Sequence, residues 1–394
     1  MKTKRHFGRL FIIAFNILAI IMLSFSLAQA AKLKIGLVVP LSGPGAPWGQ
    51  GFQQGLEMAV EDFEKDGLII KGQKYQLEII AYDDKYSATE AAKSATRLVS
   101  VDKVKFIIGP VGSACALAML PITEKAKVLV LGNGYSSKVV SPQFTYYFRV
   151  TGTNVENTPT LIPYVVNKYK VKTVAIIGPN DESGQDLTAN DVEHYNRLGV
   201  KILYNEFYER AQQDFYPQLS KIVSLKPDLL DTSASSPASQ GLIAKQIRDM
   251  GYKGPIVTPC GYTAAPAVRV GGPAVDGTYY AGLELKNPIY YDVLAPRFQK
   301  KYGKELDNAG VIMFYVTSKL LLDTIQKAQS IDPTIIKTAL ENMGTVNTMI
   351  GPLSWTGKEY YGINHQILCP PDIFVVSEGK EKTILRAERG FKTK

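Results

Sequence analysis

The chain has 394 residues, 45% of them hydrophobic and 21% charged, with a formal charge of +9 from 45 basic and 36 acidic side chains. That balance excludes a disordered chain, and the length suits two domains of ordinary size. No run of Lys and Arg interleaved with aromatics marks a nucleic-acid surface, so no nucleic acid is expected as a partner.

Lys2, Lys4, Arg5 and Arg9 precede an apolar run over 10–27, and Ala28-Gln29-Ala30 then offers an A-x-A cleavage site. The run approaches spanning length, so an uncleaved anchor is the alternative. Small residues directly at its end favour cleavage near Ala30, which makes 1–30 a signal peptide and places the mature protein outside the cytoplasm. No Cys stands at the cleavage site to carry a lipid. Cys115, Cys260 and Cys369 are widely spaced and allow at most one bridge, with no C-x-x-C to suggest zinc or redox work.

The spacing predicts a strand over 33–40, a loop over 41–49 and a helix over 50–66 carrying Phe52, Leu56, Ala59, Val60 and Phe63 on one stripe. The glycines at 43, 45, 49 and 51 mimic a dinucleotide fingerprint poorly, because prolines interrupt them. The segment reads instead as a loop bringing Trp48 over a cleft. A strand over 75–83 ends in Asp83-Asp84, which reads as a turn or cap rather than a metal site, and a helix over 87–101 follows.

The organising stretch runs over 104–137. It gives a strand over 104–109, a loop with Gly112-Ser113, a helix, a strand over 128–131, and the loop Gly132-Asn133-Gly134-Tyr135-Ser136. Strand, helix and strand in this order make a parallel βαβ unit. Both loops therefore leave the carboxyl ends of parallel strands, the edge where open α/β sheets bind ligands. They carry hydroxyls, glycines and backbone N–H groups, equipment for gripping a polar group.

Near 151–154 the strand-helix pattern restarts, with strands over 173–178, 201–208, 228–232 and 255–258. Ser183, Ser235 and Cys260 stand in loops that follow strands of this second unit. After Gly277 come a strand over 278–283, mainly helices including one over 308–328 that is apolar nearly all round, and a tail of strand, turn and strand. The fold class is therefore α/β, with two doubly wound units.

Enzymatic signals are missing from the sequence. The three histidines, His6, His194 and His365, have no metal-ligand spacing, and neither a G-x-S-x-G elbow nor a P-loop is present. No cofactor is expected. Loops at Trp48, Ser113 and Ser136 share one sheet edge, and loops at Ser183, Ser235 and Cys260 share another. Facing each other, they would enclose one cleft suited to a carboxylate.

The chain resembles the leucine/isoleucine/valine-binding family, the type I periplasmic solute-binding proteins of ABC importers. The resemblance lies in KIGLVVPLSGPGAPWGQG, in YDD at 82–84, in FIIGPVGSACA, FRVTGTN, DFYPQLSKIVSLKPD, GLIAKQIRDMG and IGPLSW, in that order. It implies two Rossmann-like lobes joined by three crossovers, placed near 149–154, 277–282 and 350–353. Lobe I is then 31–150 with 278–350, and lobe II 151–277 with 351–394. It also implies a periplasmic monomer that hands a small ligand to a membrane permease. Ser113, the Gly134 backbone and Ser136 match the family's carboxylate and amino-group contacts, and Trp48 its aromatic lid, with Tyr135 beside them. Ser183 stands where amino-acid binders usually place a Tyr, and Cys260 where they place the Glu that neutralises the ammonium. The expected ligand is thus an amino acid or an aromatic or other non-amino carboxylate. A ligand sensor of the same fold and an extracytoplasmic hydrolase are the competing readings.

Overall fold

The structure, a computed structural model, describes residues 31–43, 45–64, 67–259 and 264–386. The expected signal peptide and Cys260 lie outside the described residues.

Two sheets organise the chain. In the first, the strands Tyr147–Arg149, Leu129–Asn133, Phe106–Val111, Ala31–Val39 and Gln73–Asp83 lie side by side in parallel. Leu68–Ile70 closes one edge antiparallel. At the other edge Gln366–Leu368 pairs parallel with Tyr147–Arg149, and Gly351–Thr356 and Val346–Thr348 continue antiparallel. The second sheet runs Lys201–Tyr208, Thr173–Pro179, Leu229–Asp231, Ile256–Thr258 and Thr278–Gly282 in parallel, then Asp372–Ser377 and Lys380–Leu385 antiparallel.

Every residue of Phe106–Val111 and Leu129–Asn133 is buried, as parallel strands covered on both faces require. On one face Val38, Ile107 and Val130 meet Ala91, Ala95, Cys115 and Met119 of the helices Ala88–Arg97 and Ser113–Lys125. On the other, Leu37, Ile108 and Leu131 belong to a core with Phe52, Leu294, Phe298 and Ile312, from the helices Ala46–Glu61, Pro288–Tyr302 and Ala309–Ala328. The second sheet is likewise packed on both faces.

Sheet membership moves two of the expected lobe boundaries. Thr278–Gly282 pairs with Ile256–Thr258 and so belongs to the second sheet, while Gly351–Thr356 and Gln366–Leu368 belong to the first. The chain passes between sheets over residues 150–153, then over 283–287 and 369–371 rather than near 277–282 and 350–353. The physical reason is pairing. The strand over 278–282 finds its parallel neighbour in the unit it follows, and Gly351–Thr356 is locked into a hairpin with Val346–Thr348.

Each sheet has a point where adjacent strands send their helices to opposite faces, opening a crevice at their carboxyl ends. In the first sheet it lies between Ala31–Val39 and Phe106–Val111, and in the second between Thr173–Pro179 and Leu229–Asp231. The loops at Ser113, Ser183 and Ser235 leave from these points.

Candidate ligand-binding cleft

Phe106–Val111 ends in Gly112, whose φ of +94° favours glycine and where an added Cβ would fall 2.7 Å from the Tyr86 ring. Ser113 opens the helix Ser113–Lys125 directly after it. From the other lobe, Asp181 caps the helix Glu182–Arg197 by accepting from the Gly184 N–H at 2.9 Å, which places Ser183 in the first turn. The two helix N-termini meet. Ser113 N–H donates to Ser183 Oγ at 3.0 Å, and the Ser183 hydroxyl donates to Ser113 Oγ at 2.8 Å. Ser136 N–H also donates to Ser113 Oγ at 2.8 Å. All three serines are buried.

Arg149 shapes the loop that carries Ser136. It is fully buried, and its Nη1 donates to the carbonyls of Gly134, Tyr135 and Ser136 at 3.2, 3.0 and 3.1 Å. Its Nε bonds Gln366, and its guanidinium stacks 4.6 Å from the Tyr361 ring centre. Gly134 departs from expectation. Its N–H donates to the Tyr147 hydroxyl at 2.9 Å and its carbonyl takes Arg149, so its backbone holds the loop rather than facing the cleft. A side chain there would press on Ala116, 2.9 Å from an added Cβ.

Polar contacts close the rim. The Ser136 hydroxyl donates to Glu182 at 3.0 Å, and Lys138 pairs with the same carboxylate at 2.9 Å. Ser137 gives its N–H and hydroxyl to the two Asp186 oxygens at 3.1 and 3.0 Å. Tyr135 packs on Leu187 and Ala234 of the second lobe.

Trp48 sits in the first turn of the helix Ala46–Glu61, not in a loop as expected, because Pro47 suits a helix's first turn. Its ring centre is 5.7 Å from that of Tyr86. Arg210 reaches these rings from the other lobe, with its Cζ 4.8 Å from the Tyr86 centre and 5.7 Å from that of Trp48. Its Nε pairs with Asp181 and its Nη1 donates to the Ala234 carbonyl at 3.4 Å. Ala234 itself stands at φ +56°, a strained conformation for a residue with a Cβ. The neighbouring Ser235 accepts from the Tyr208 hydroxyl at 2.9 Å. A cavity of about 20 Å³, room for one water, lies against Trp48, Asn133, Pro237, Gln240 and Asn308.

Ser113, Ser136 and Ser183 thus converge, Tyr135 adjoins Ser136 in its loop, Trp48 lies beside Arg210, Ser235 follows Ala234, whose carbonyl Arg210 holds, and Cys260 lies outside the described residues. The sequence reading passed over Tyr86, Arg210 and Asp186. Tyr86 and Arg210 each stand two or three residues beyond the carboxyl end of a parallel strand, the signal that would have found them. The described histidines are elsewhere. His194 bonds the Asn190 carbonyl in its own helix, and His365 is buried against Glu341. Among the described residues no group of His, Cys, Asp and Glu could hold a metal ion, and no helix is long and apolar enough to cross a membrane.

Two α/β lobes, joined by three crossovers and meeting along a polar seam at their strand carboxyl ends, define a two-lobed ligand-binding protein. The periplasmic binding protein family model matches residues 32–380, and the chain belongs to that family. The Leu/Ile/Val-binding protein of Citrobacter freundii is 26% identical over 345 residues, 86% of this chain and 90% of the relative, and that of Escherichia coli strain K12 gives the same figures. Two solved structures show the fold. The branched-chain amino acid transporter substrate-binding protein LivJ of Streptococcus pneumoniae, in complex with isoleucine, has a TM-score of 0.77 at 21% identity, covering 90% of this chain and 100% of its own. A solute-binding protein of an ABC transporter from Rhodopseudomonas palustris, in complex with benzoate, has a TM-score of 0.77 at 18% identity, covering 92% and 100%.

Proposed function

We propose that the protein is an extracytoplasmic solute-binding protein that closes its two lobes on a small carboxylate-bearing ligand and presents it to the membrane permease of an ABC importer. The observation that carries this reading is the meeting of Ser113 and Ser183. Each helix N-terminus bears a partial positive charge, so two of them pointed at one spot favour an anion between them. Ser113, Ser136 and Ser183 would receive the acid group, with Trp48, Tyr135 and Ser235 around the ligand's body. A cavity of about 20 Å³ admits nothing of that size, so the lobes must part at the crossovers to take it in.

Family membership and the relatives' names support transport and an extracytoplasmic location. The relatives it matches are named as binding proteins, which supports a binding rather than a catalytic role. Mass spectrometry of the small molecule released on unfolding tests the reading. One carboxylic acid per chain is expected. A neutral sugar or a polyamine in its place would overturn it.

A further inference from the structure

Arg210 belongs to the second lobe, two residues beyond Lys201–Tyr208, yet its guanidinium lies on the aromatic rings of the first. Its side chain is only 15% exposed. Nε and Nη1 have partners, but Nη2 is buried and has none among the described residues. A buried donor without an acceptor is unfavourable, and an acceptor supplied by a ligand would relieve it.

The acids along the same seam are already engaged. Asp181 caps its own helix and pairs with Arg210, Glu182 takes Ser136 and Lys138, and Asp186 takes Ser137 twice. Asp84 is fully buried and accepts from the Tyr86 N–H, and burial pushes its carboxyl up to about 7, so it offers no full charge at neutral pH. An ammonium placed here would meet a guanidinium and two helix N-termini, with no uncommitted described carboxylate to neutralise it. An acid would meet donors.

Resting on the reading of the cleft as a carboxylate site, we propose that Arg210 selects the ligand's charge class. The site takes an organic acid bearing no ammonium, with an oxygen of that ligand on Arg210 Nη2 and its apolar body against the Trp48 and Tyr86 rings. Arg210 is then a specificity residue as well as a bridge between lobes. A cation on an aromatic face holds that bridge in the closed form.

The test is calorimetric titration with isoleucine, with 3-methylpentanoate (the same skeleton without the ammonium), with benzoate and with 4-hydroxybenzoate. Wild type, Arg210→Met and Arg210→Lys are compared, and circular dichroism establishes that each variant is folded. Arg210→Lys keeps a charge for Asp181 but loses the planar fork, so it remains informative if Arg210→Met fails to fold. At least one ammonium-free acid is expected to bind wild type at least tenfold more tightly than isoleucine, and to lose at least tenfold in either folded variant. Isoleucine binding as tightly as the acids, or an acid binding both variants unchanged, overturns the role of Arg210 and leaves the carboxylate cleft standing. Binding of none of the four overturns the carboxylate reading, and this inference with it.

Discussion

Ser113 Oγ and Ser183 Oγ stand 2.8 Å apart, one at the N-terminus of a helix in each lobe. The contact makes one polar centre out of two separately folded sheets. Its partners extend it outward, through Ser136, to the loop that Arg149 holds. The contact between the lobes and the proposed ligand site therefore share the same few side chains.

The rim should respond to charge. Lys138 is 66% exposed and Glu182 26%, so their ion pair is screened and contributes little on its own. Asp186 on Ser137 adds hydrogen bonds to a charged group at the same edge. The double variant Glu182→Gln with Asp186→Asn should shift the ligand-free protein toward an open form. Small-angle scattering should then give a larger radius of gyration than wild type. An unchanged radius would show that the rim contacts do not hold the lobes together.

Asp84 gives a pH dependence with a definite sign. Its carboxyl is pushed up to about 7, mainly by burial, against about 3.9 in an unfolded chain. The folded state thus keeps its proton longer, and this group's contribution to stability falls as pH rises from about 4 to about 7, by up to about 1.4 kcal/mol per unit. Asp84→Asn keeps an oxygen for the Tyr86 N–H and does not titrate. Urea denaturation should show the variant gaining on wild type across that window and holding its gain above it. A constant difference from pH 4 to 7 would contradict the assignment.

Gly55 should be irreplaceable for packing. It lies where Ala46–Glu61 crosses Ala309–Ala328, and an added Cβ would come 2.6 Å from the Tyr315 backbone nitrogen. Alanine normally gains about 1 kcal/mol over glycine inside a helix. Here the obstructing atom is backbone and cannot rotate away, so overpacking of about 1–3 kcal/mol should win. Gly55→Ala should lower the melting temperature while leaving ligand affinity within twofold. A raised melting temperature would mean that the helices part easily.

Much of this architecture is written locally. The strand Phe106–Val111 and residues 129–131 of the next are apolar because both faces are covered, and glycine- and serine-rich loops mark their carboxyl ends. Local pattern of this kind is enough to put Ser113, Ser136 and Ser183 at sheet edges. It does not say which sheet a strand joins. Thr278–Gly282 would suit either, and only its pairing with Ile256–Thr258 decides. Nor does it reveal side chains that act across the seam. Arg210 and Tyr86 look like ordinary loop residues until the two lobes are brought together. Gly134 misleads in the opposite way. Its glycine reflects packing against Ala116, which sequence pattern does not distinguish from a ligand-facing backbone.

The most direct test of the central claim is calorimetric titration of wild type and Ser113→Ala with benzoate, 3-methylpentanoate and isoleucine. Ser113 Oγ accepts two buried hydrogen bonds at the point where the proposed function puts the ligand's acid group. One site per chain is expected for at least one of these carboxylates. The variant should lose about 1.5–3 kcal/mol of that binding, the scale of a hydrogen bond to a charged group. Unaltered affinity in a folded Ser113→Ala variant would contradict the carboxylate site at Ser113 and place the ligand elsewhere.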